Sequence, residues 1–214
     1  MQIGMFDMNV IFLGVQGSGK GTQAKLLSEK FGWPHINVGE KFREHIAKQT
    51  KLGKQAEDFI NKGKLVPDEF VFKMIEPALQ NATRGFILDG FPRTEKQAYF
   101  LLDKFTIDIC FNLKLPKSVA ITRIQARRHC SSCHKDYNLL FNPHKQDGIC
   151  DLCGGELVQR DDDKKEAIEK RIEEFHKTTK KVIPILKEKC RFVDLDADRP
   201  LEVIHKNVIE EIKK

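Results

Sequence analysis

The regular pattern opens with an unbroken apolar run: "NVIFLG" (9–14) ends on Gly and gives way to helical spacing over about 20–31. "HINV" (35–38) is a second short strand, and helical pattern fills about 39–82, interrupted near Gly53 and at "GKLVPDE". "GFILD" (85–89), "DICFNLKL" (108–115) and "RFVDLD" (191–196) supply three further strands. Short apolar strands separated by helical stretches define βαβ units. The expected fold is therefore α/β, a three-layer sandwich of a five-stranded parallel sheet with helices on both faces.

One stretch breaks the alternation. Residues 130–163, rich in Cys, Gly, Asp and Asn, carry no helical period and lie between a helix predicted at 117–128 and a long one over about 164–188. They read as an inserted module. Four of the six cysteines sit here, in the pairs Cys130/Cys133 and Cys150/Cys153. A zinc site, free thiols, disulfides and haem attachment through "CSSCH" all remain open on spacing alone.

Composition narrows the choice. A chain of 214 residues, 40% hydrophobic and 32% charged, can build one sizeable core with a small insertion. Its longest apolar runs are far too short to span a membrane, and "MQIGMFDMN" lacks the basic and apolar regions of a secretory leader. A cytoplasmic protein is expected, which disfavours disulfides and covalent haem. The net charge of +6 is spread among interleaved acids and bases, so a nucleic-acid stripe is not expected.

The strongest chemical signal follows the first strand. In "GVQGSGKGT" (Gly14 to Thr22) a Gly-rich turn between strand and helix turns backbone N–H groups toward a phosphate, and Lys20 reaches its oxygens. Gly21 stands where the strict motif has Ser or Thr, and Thr22 follows. In the empty protein Lys20 is expected to be solvated. "GFILDGFPRTEKQA" places Asp89 at the end of the third strand, where an acid can hold Mg²⁺ through water. Gly90 allows close approach of a ligand, and Arg93 offers a planar fork for phosphate. Arg123, Arg127 and Arg128 flank the insertion on one side, Arg160 and Arg171 on the other, as a movable phosphate clamp would require.

Together "GSGKGTQA", "GKLVPDE", "GFILDGFPRTEKQA", "RRHCSSC", "YNLLFNP" and "QRDDDKKEAIEKRIEEFHKTT" resemble the long-lid adenylate kinases over nearly the whole chain after Met8. The resemblance implies Mg²⁺-dependent phosphoryl transfer between ATP and AMP, giving ADP. It implies a core over 1–37, 84–128 and 164–214, an AMP-binding helical region over 38–83 and a lid over 129–163. By similarity Gly17, Ser18, Gly19, Lys20, Gly21 and Thr22 hold the ATP phosphates, and Arg123, Arg127, Asp136, Tyr137 and Arg199 complete the ATP site. Val38, Arg43, Lys64, Leu65, Val66, Gly90, Phe91, Pro92, Arg93, Gln97, Arg160 and Arg171 form the AMP site. Arg43 and Arg93 take its phosphate and Gln97 its adenine. Lys20, Arg93, Arg127, Arg160 and Arg171 surround the transferred group.

Four positions depart from the family pattern: Gln16 for Pro, Val38 for a hydroxyl residue, Glu40 for Asp, and Ala197 for Gly. Val38 leaves Gln97 as the main side-chain reader of the base. A relative that phosphorylates CMP or UMP, or that uses GTP as donor, would share the loop and the arginines, but Gln97 and the full-length lid favour AMP. A zinc-ribbon adaptor for nucleic acid explains the cysteines and the basic balance but neither the Gly-rich loop nor "DGFPRT". Within a lid of about thirty residues, too small for its own core, four thiolates are expected to hold one structural Zn²⁺. His134 adjoins Cys133 and would strain a knuckle, and Cys110 and Cys190 are expected to be buried single thiols. A monomer is expected, with nucleotides as its ligands and neither membrane nor nucleic acid as partner. The seven residues before Met8 receive no role.

Overall fold

A computed structural model describes residues 7–133 and 135–214. His134 and the first six residues lie outside the described set. Strand β1 (Met8–Gly14) runs through the centre of the molecule. Its apolar run is continuous because a central parallel strand is covered on both faces. Side chains alternate, so Ile11 and Leu13 enter one core while Val10 and Phe12 enter the other. All four are at most 3% exposed. Burying each large apolar side chain is worth about 1.5–3 kcal/mol.

Helix α1 (Lys20–Phe31) leads from β1 to β2 (His35–Asn37). Three helices follow: α2 (Val38–Ala47), α3 (Lys51–Asn61) and α4 (Asp68–Gln80). Strand β3 (Gly85–Asp89), helix α5 (Glu95–Lys104), strand β4 (Ile109–Lys114) and helix α6 (Lys117–Gln125) continue the alternation. The inserted segment carries β5 (Arg127–Cys130), β6 (Asp136–Asn138) and β7 (Leu157–Val158). Helices α7 (Lys165–Lys177) and α8 (Val182–Lys189), strand β8 (Arg191–Asp196) and helix α9 (Leu201–Ile212) complete the chain.

The main sheet has the order β2-β3-β1-β4-β8, and each pairing in it is parallel. The expected five-stranded α/β sandwich is present. The chain leaves β1 toward one edge and β4 toward the other, so their carboxyl ends bracket a switch point, the usual ligand crevice of such sheets.

Several boundaries differ from those expected. The helix predicted over 117–128 stops at Gln125, because Arg127–Cys130 pair antiparallel with β6 and β7 in a second, three-stranded sheet. The long helix predicted over about 164–188 breaks after Lys177 into a 3₁₀ turn, Thr179–Lys181, and then α8. Thr178 Oγ1 bonds back to the Glu174 carbonyl at 2.6 Å and Thr179 Oγ1 donates to the Arg93 carbonyl at 3.2 Å. Pro184, lacking an N–H, fits only the first turn of the restarted helix. Val38 is not the end of a strand but the first residue of α2, whose cap is Asn37.

Nor does Gly53 mark the break between helices. That break lies at Lys48–Thr50, where Gln49 takes φ 51° and Thr50 caps α3 by accepting from the Gly53 N–H at 3.0 Å. Gly53 lies inside α3 because α2 crosses it closely: a Cβ there would stand 2.1 Å from the His45 carbonyl oxygen. Backbone cannot yield cheaply at that distance. Gly53→Ala should cost on the order of 2–3 kcal/mol and lower the thermal midpoint by about 5–10 °C. A midpoint within one degree of the parent would show that the two helices can move apart freely.

Candidate active site

The Gly-rich loop between β1 and α1 takes its shape from glycines with positive φ. Gly14 (φ 141°) could not carry a Cβ, which would lie 2.5 Å from the Leu113 carbonyl oxygen of the neighbouring strand. Gly17 (φ 82°) is pressed against α6, with Ala120 O only 2.9 Å from its missing Cβ. Gly19 caps α1 in the left-handed conformation, so the first N–H groups of the helix open toward the cleft. Ser18 is fully buried, Thr22 is exposed, and Gln16 lines the cleft.

Lys20 is not solvated, contrary to expectation. Its Nζ donates to the Gly14 and Val15 carbonyls at 2.7 and 2.8 Å. Burial, and the nearby charges of Arg93, Arg171 and Arg127, bring its pKa down to about 8, although Asp89 opposes the shift. Asp89, only 5% exposed, accepts from Asn37 Nδ2 at 2.7 Å. His35 Nε2 stands 3.7 Å from the same oxygen, too far for a hydrogen bond. Burial works against the carboxylate, but the His35 ring, Lys20 and Arg93 outweigh it and hold Asp89 below the ordinary carboxylate range. Asn37 does double duty, since its Oδ1 accepts the Glu40 N–H at 2.9 Å and caps α2.

One cleft collects Lys20, Val38, Arg43, Lys64, Leu65, Val66, Gly90, Pro92, Arg93, Gln97 and Arg171. Phe91 belongs to the main core and is 0% exposed. Arg93 Nε is anchored to the Gly90 carbonyl at 2.8 Å. The cleft is crowded with cations. Burial, then neighbouring arginines, bring Arg43 and Arg171 down to about 10, and burial also lowers Arg93. Depressed cations in a cleft mark a site short of negative charge.

Sequence reasoning missed the acids that partly supply it. Asp163, with a side chain 0% exposed, holds Arg127 through two bonds, at 2.8 and 2.5 Å. Arg171 Nη1 bonds the Asp162 carbonyl at 2.9 Å and Asp163 Oδ1 at 3.2 Å. Burial opposes the charge on Arg127, but Asp163 prevails and raises its pKa. The available signal was three successive aspartates between two arginines already assigned to phosphate.

The remaining assigned residues lie around the insertion. Arg160 Nη2 bonds both oxygens of Asp136, at 2.7 and 2.9 Å. Arg123 donates to the Ala197 carbonyl at 2.8 Å and lies 5.0 Å from the centre of the Phe141 ring. Arg199 is exposed and pairs with Asp196. Tyr137 is only 3% exposed. Its hydroxyl faces Cys150 Sγ at 3.4 Å and accepts from the Asp151 N–H at 2.9 Å.

Its neighbours are the paired cysteines. The sulfurs of Cys130, Cys133, Cys150 and Cys153 all lie within 4.8 Å of one another. The Cys130–Cys153 and Cys133–Cys150 separations are 3.4 and 3.6 Å. Four Zn–S bonds of about 2.3 Å in a tetrahedron put sulfurs about 3.8 Å apart, so the cage suits such an ion. The N–H groups of Ser132 and Cys133 point at Cys130 Sγ, as they do toward a thiolate. Gly155 makes room, since a Cβ there would stand 2.9 Å from Cys130 Sγ. The four thiols could therefore hold a metal. Cys110 is fully buried, whereas Cys190 is only half-buried and donates to the Leu186 carbonyl.

A cationic cleft beside a phosphate loop positions and neutralises phosphates. Transfer between two nucleotides asks for little else, and this is the chemistry of the nucleoside monophosphate kinases. Comparison with known proteins specifies the member. A sequence profile described as "Adenylate kinase" matches residues 12–191. The adenylate kinase of Archaeoglobus fulgidus is 43% identical over 216 residues, covering 96% of this chain and 100% of that protein. That of Clostridium tetani is 41% identical over 208 residues, covering 94% and 96%. The enzyme of that name from Staphylococcus aureus is 39% identical over 211 residues, covering 95% and 98%. The chain belongs to the adenylate kinase family. Its reaction is the reversible conversion of ATP and AMP into two molecules of ADP.

The lowered lysine has a consequence for pH. Below about 8 Lys20 is charged in the nucleotide-free protein, and above it the amine is neutral. Phosphate favours the charged form, so binding above that pH must take up a proton. MgATP affinity should fall by up to about tenfold per pH unit above pH 8, well before an ordinary lysine titrates. Calorimetry at pH 7 to 10, in buffers of different ionisation enthalpy, would read both the affinity and the proton uptake. Constant affinity without proton uptake would place the lysine pKa elsewhere.

Proposed function

We propose that transfer is carried out by a fixed loop and a set of arginines drawn from three segments: the core over 1–37, 84–128 and 164–214, the AMP-binding region over 38–83, and the lid over 129–163. The observation that carries this reading is the common cleft, in which Lys20 from the loop faces Arg93 from the β3–α5 turn and Arg171 from α7. The N–H groups of Gly17 to Thr22 hold the ATP phosphates, and Lys20 leaves its two loop carbonyls to meet the transferring group. Arg43 and Arg93 hold the AMP phosphate, with the backbone of Lys64 to Val66 along the pocket and Gln97 against the adenine. Arg123 and the loop of Ala197 to Arg199 frame the ATP base. Arg127, Arg160 and Arg171 exchange their aspartate partners for phosphate oxygens as the lid closes. Tyr137 can touch ATP only through its backbone, because its ring serves the cysteine cage, while Asp136 sets the resting place of Arg160.

Mg²⁺ carried with ATP neutralises phosphate charge, and Asp89, ionised and held by Asn37, is the residue to retain it through water. Closure excludes bulk water, so the γ-phosphoryl group meets AMP rather than hydroxide.

Lys20→Met tests the reading directly. It should lower kcat by several powers of ten, a loss of about 3–5 kcal/mol of transition-state stabilisation, with AMP binding little changed. Two loop carbonyls also lose their donor, so a small fall in thermal midpoint is expected. Retention of a tenth of the parent's turnover in a coupled ADP assay would refute the role.

In the same proposal the cysteine cage holds one structural Zn²⁺. Four thiolates leave no open position, so the ion supplies stability and no chemistry. Among the described residues, the buried cluster of the insertion is small, Cys130, Tyr137, Cys150 and Leu157, and half of it is ligand. Chelation or Cys150→Ser should lower the thermal midpoint by several degrees while activity at low temperature persists. Metal analysis well below one zinc per chain, with all four thiols titrating freely, would overturn it. A cytoplasmic monomer whose ligands are nucleotides completes this reading.

A further inference from the structure

Asp68, the first residue of α4, has no assigned part in the reaction, yet it is bonded to the residue read as the sensor of the acceptor base. Its Oδ1 accepts from Gln97 Nε2 at 2.7 Å. Thr94 Oγ1 braces the same carboxylate at 3.1 and 3.2 Å while capping α5 through the Gln97 N–H. At the other end of the amide, Gln97 Oε1 accepts from the Arg93 N–H at 2.7 Å. The Gln97 side chain is 2% exposed and lines the cleft with Val38, Val66 and Val71.

These partners admit one orientation of the amide. A carboxylate only accepts and a backbone N–H only donates, so Nε2 must face Asp68 and Oε1 must face Arg93. Turned over, the amide would set oxygen against carboxylate and N–H against N–H, leaving both ends of a buried amide unpaired. One N–H of Nε2 and one lone pair of Oε1 remain for a ligand, in a fixed order.

We propose that Asp68 is a specificity-determining positioning residue that locks the Gln97 amide in the orientation that accepts adenine and rejects guanine. The proposal rests on the reading that the acceptor base lies against Gln97. At its 6-position adenine donates and guanine accepts. With the acceptor's phosphate held by Arg43 and Arg93, the base cannot turn over to suit the site. Discrimination then depends on whether the amide can turn, and Asp68 prevents it. Val38 offers no hydroxyl to share the task, so this chain leans on the lock.

The test is Asp68→Asn, whose side chain can donate as well as accept and so tolerates either amide orientation. Asp68→Ser serves as a second variant if the first does not fold. kcat/KM for AMP and for GMP is measured at saturating ATP, with thermal midpoint and KM for ATP as controls. The ratio of AMP to GMP should fall by about tenfold, most of it through the KM values, since the Arg93 N–H retains part of the preference. KM for ATP should stay within twofold of the parent. A purely structural role would weaken both acceptors equally and leave the ratio intact, which would overturn the proposal. Gln97→Ala separates the two ideas. If it leaves the ratio unchanged, the base does not lie against Gln97 and the underlying reading fails. If it collapses the ratio while both Asp68 variants preserve it, the lock alone is wrong.

Discussion

Positive charges buried together in one cleft repel one another, and the arrangement around them answers that constraint. Lys20, Arg43 and Arg171 lose basicity there through burial and the fields of neighbouring cations, and Arg93 through burial. Loop carbonyls hold Lys20, the Gly90 carbonyl holds Arg93, and Asp162 and Asp163 hold Arg171. The cations are thereby gathered in the cleft and held by internal partners in the nucleotide-free protein. Even the path of the main chain fits this need. Parallel strands deliver the loop, Asp89 and the β3–α5 turn to the same edge of the sheet.

Much of this could be read from residues alone, for identifiable reasons. Parallel strands buried on both faces announce themselves as apolar runs, and each of the five was visible. The loop glycines, Asp89 and the arginines belong to motifs whose chemistry depends on local spacing. What escaped were features whose meaning is tertiary. Asp162 and Asp163 look like solvated surface in a run of charges, and only the fold turns them inward. Gly53 looked like a breaker because its true partner, the His45 carbonyl, lies in another helix. The strands of the insertion are two to four residues long, without an apolar period to betray them.

The two sheets solve the same problem by different means. The main sheet is held by apolar burial on both sides, and its central strand has no exposed face. The small sheet has too few residues for that, and the turns around it expose Leu140, Phe141 and Leu152. Its order comes from backbone pairing and from four sulfurs drawn to one point. A module stabilised at a single internal point can move as a unit without disturbing the core beneath it.

The aspartates that hold Arg127 and Arg171 also bear on how ligands leave. In the proposed roles of these arginines, an arriving phosphate would displace an internal carboxylate rather than water, and on its departure the carboxylate would return. The free energy of each visit is a difference between two anions competing for one cation. Such competition would keep affinity moderate at the very groups that would otherwise grip a nucleotide most firmly. In a reversible reaction whose substrates and products are all polyphosphates or their precursors, such built-in competition favours rapid release. The acids act as resident counterions that stop the cleft from becoming a trap.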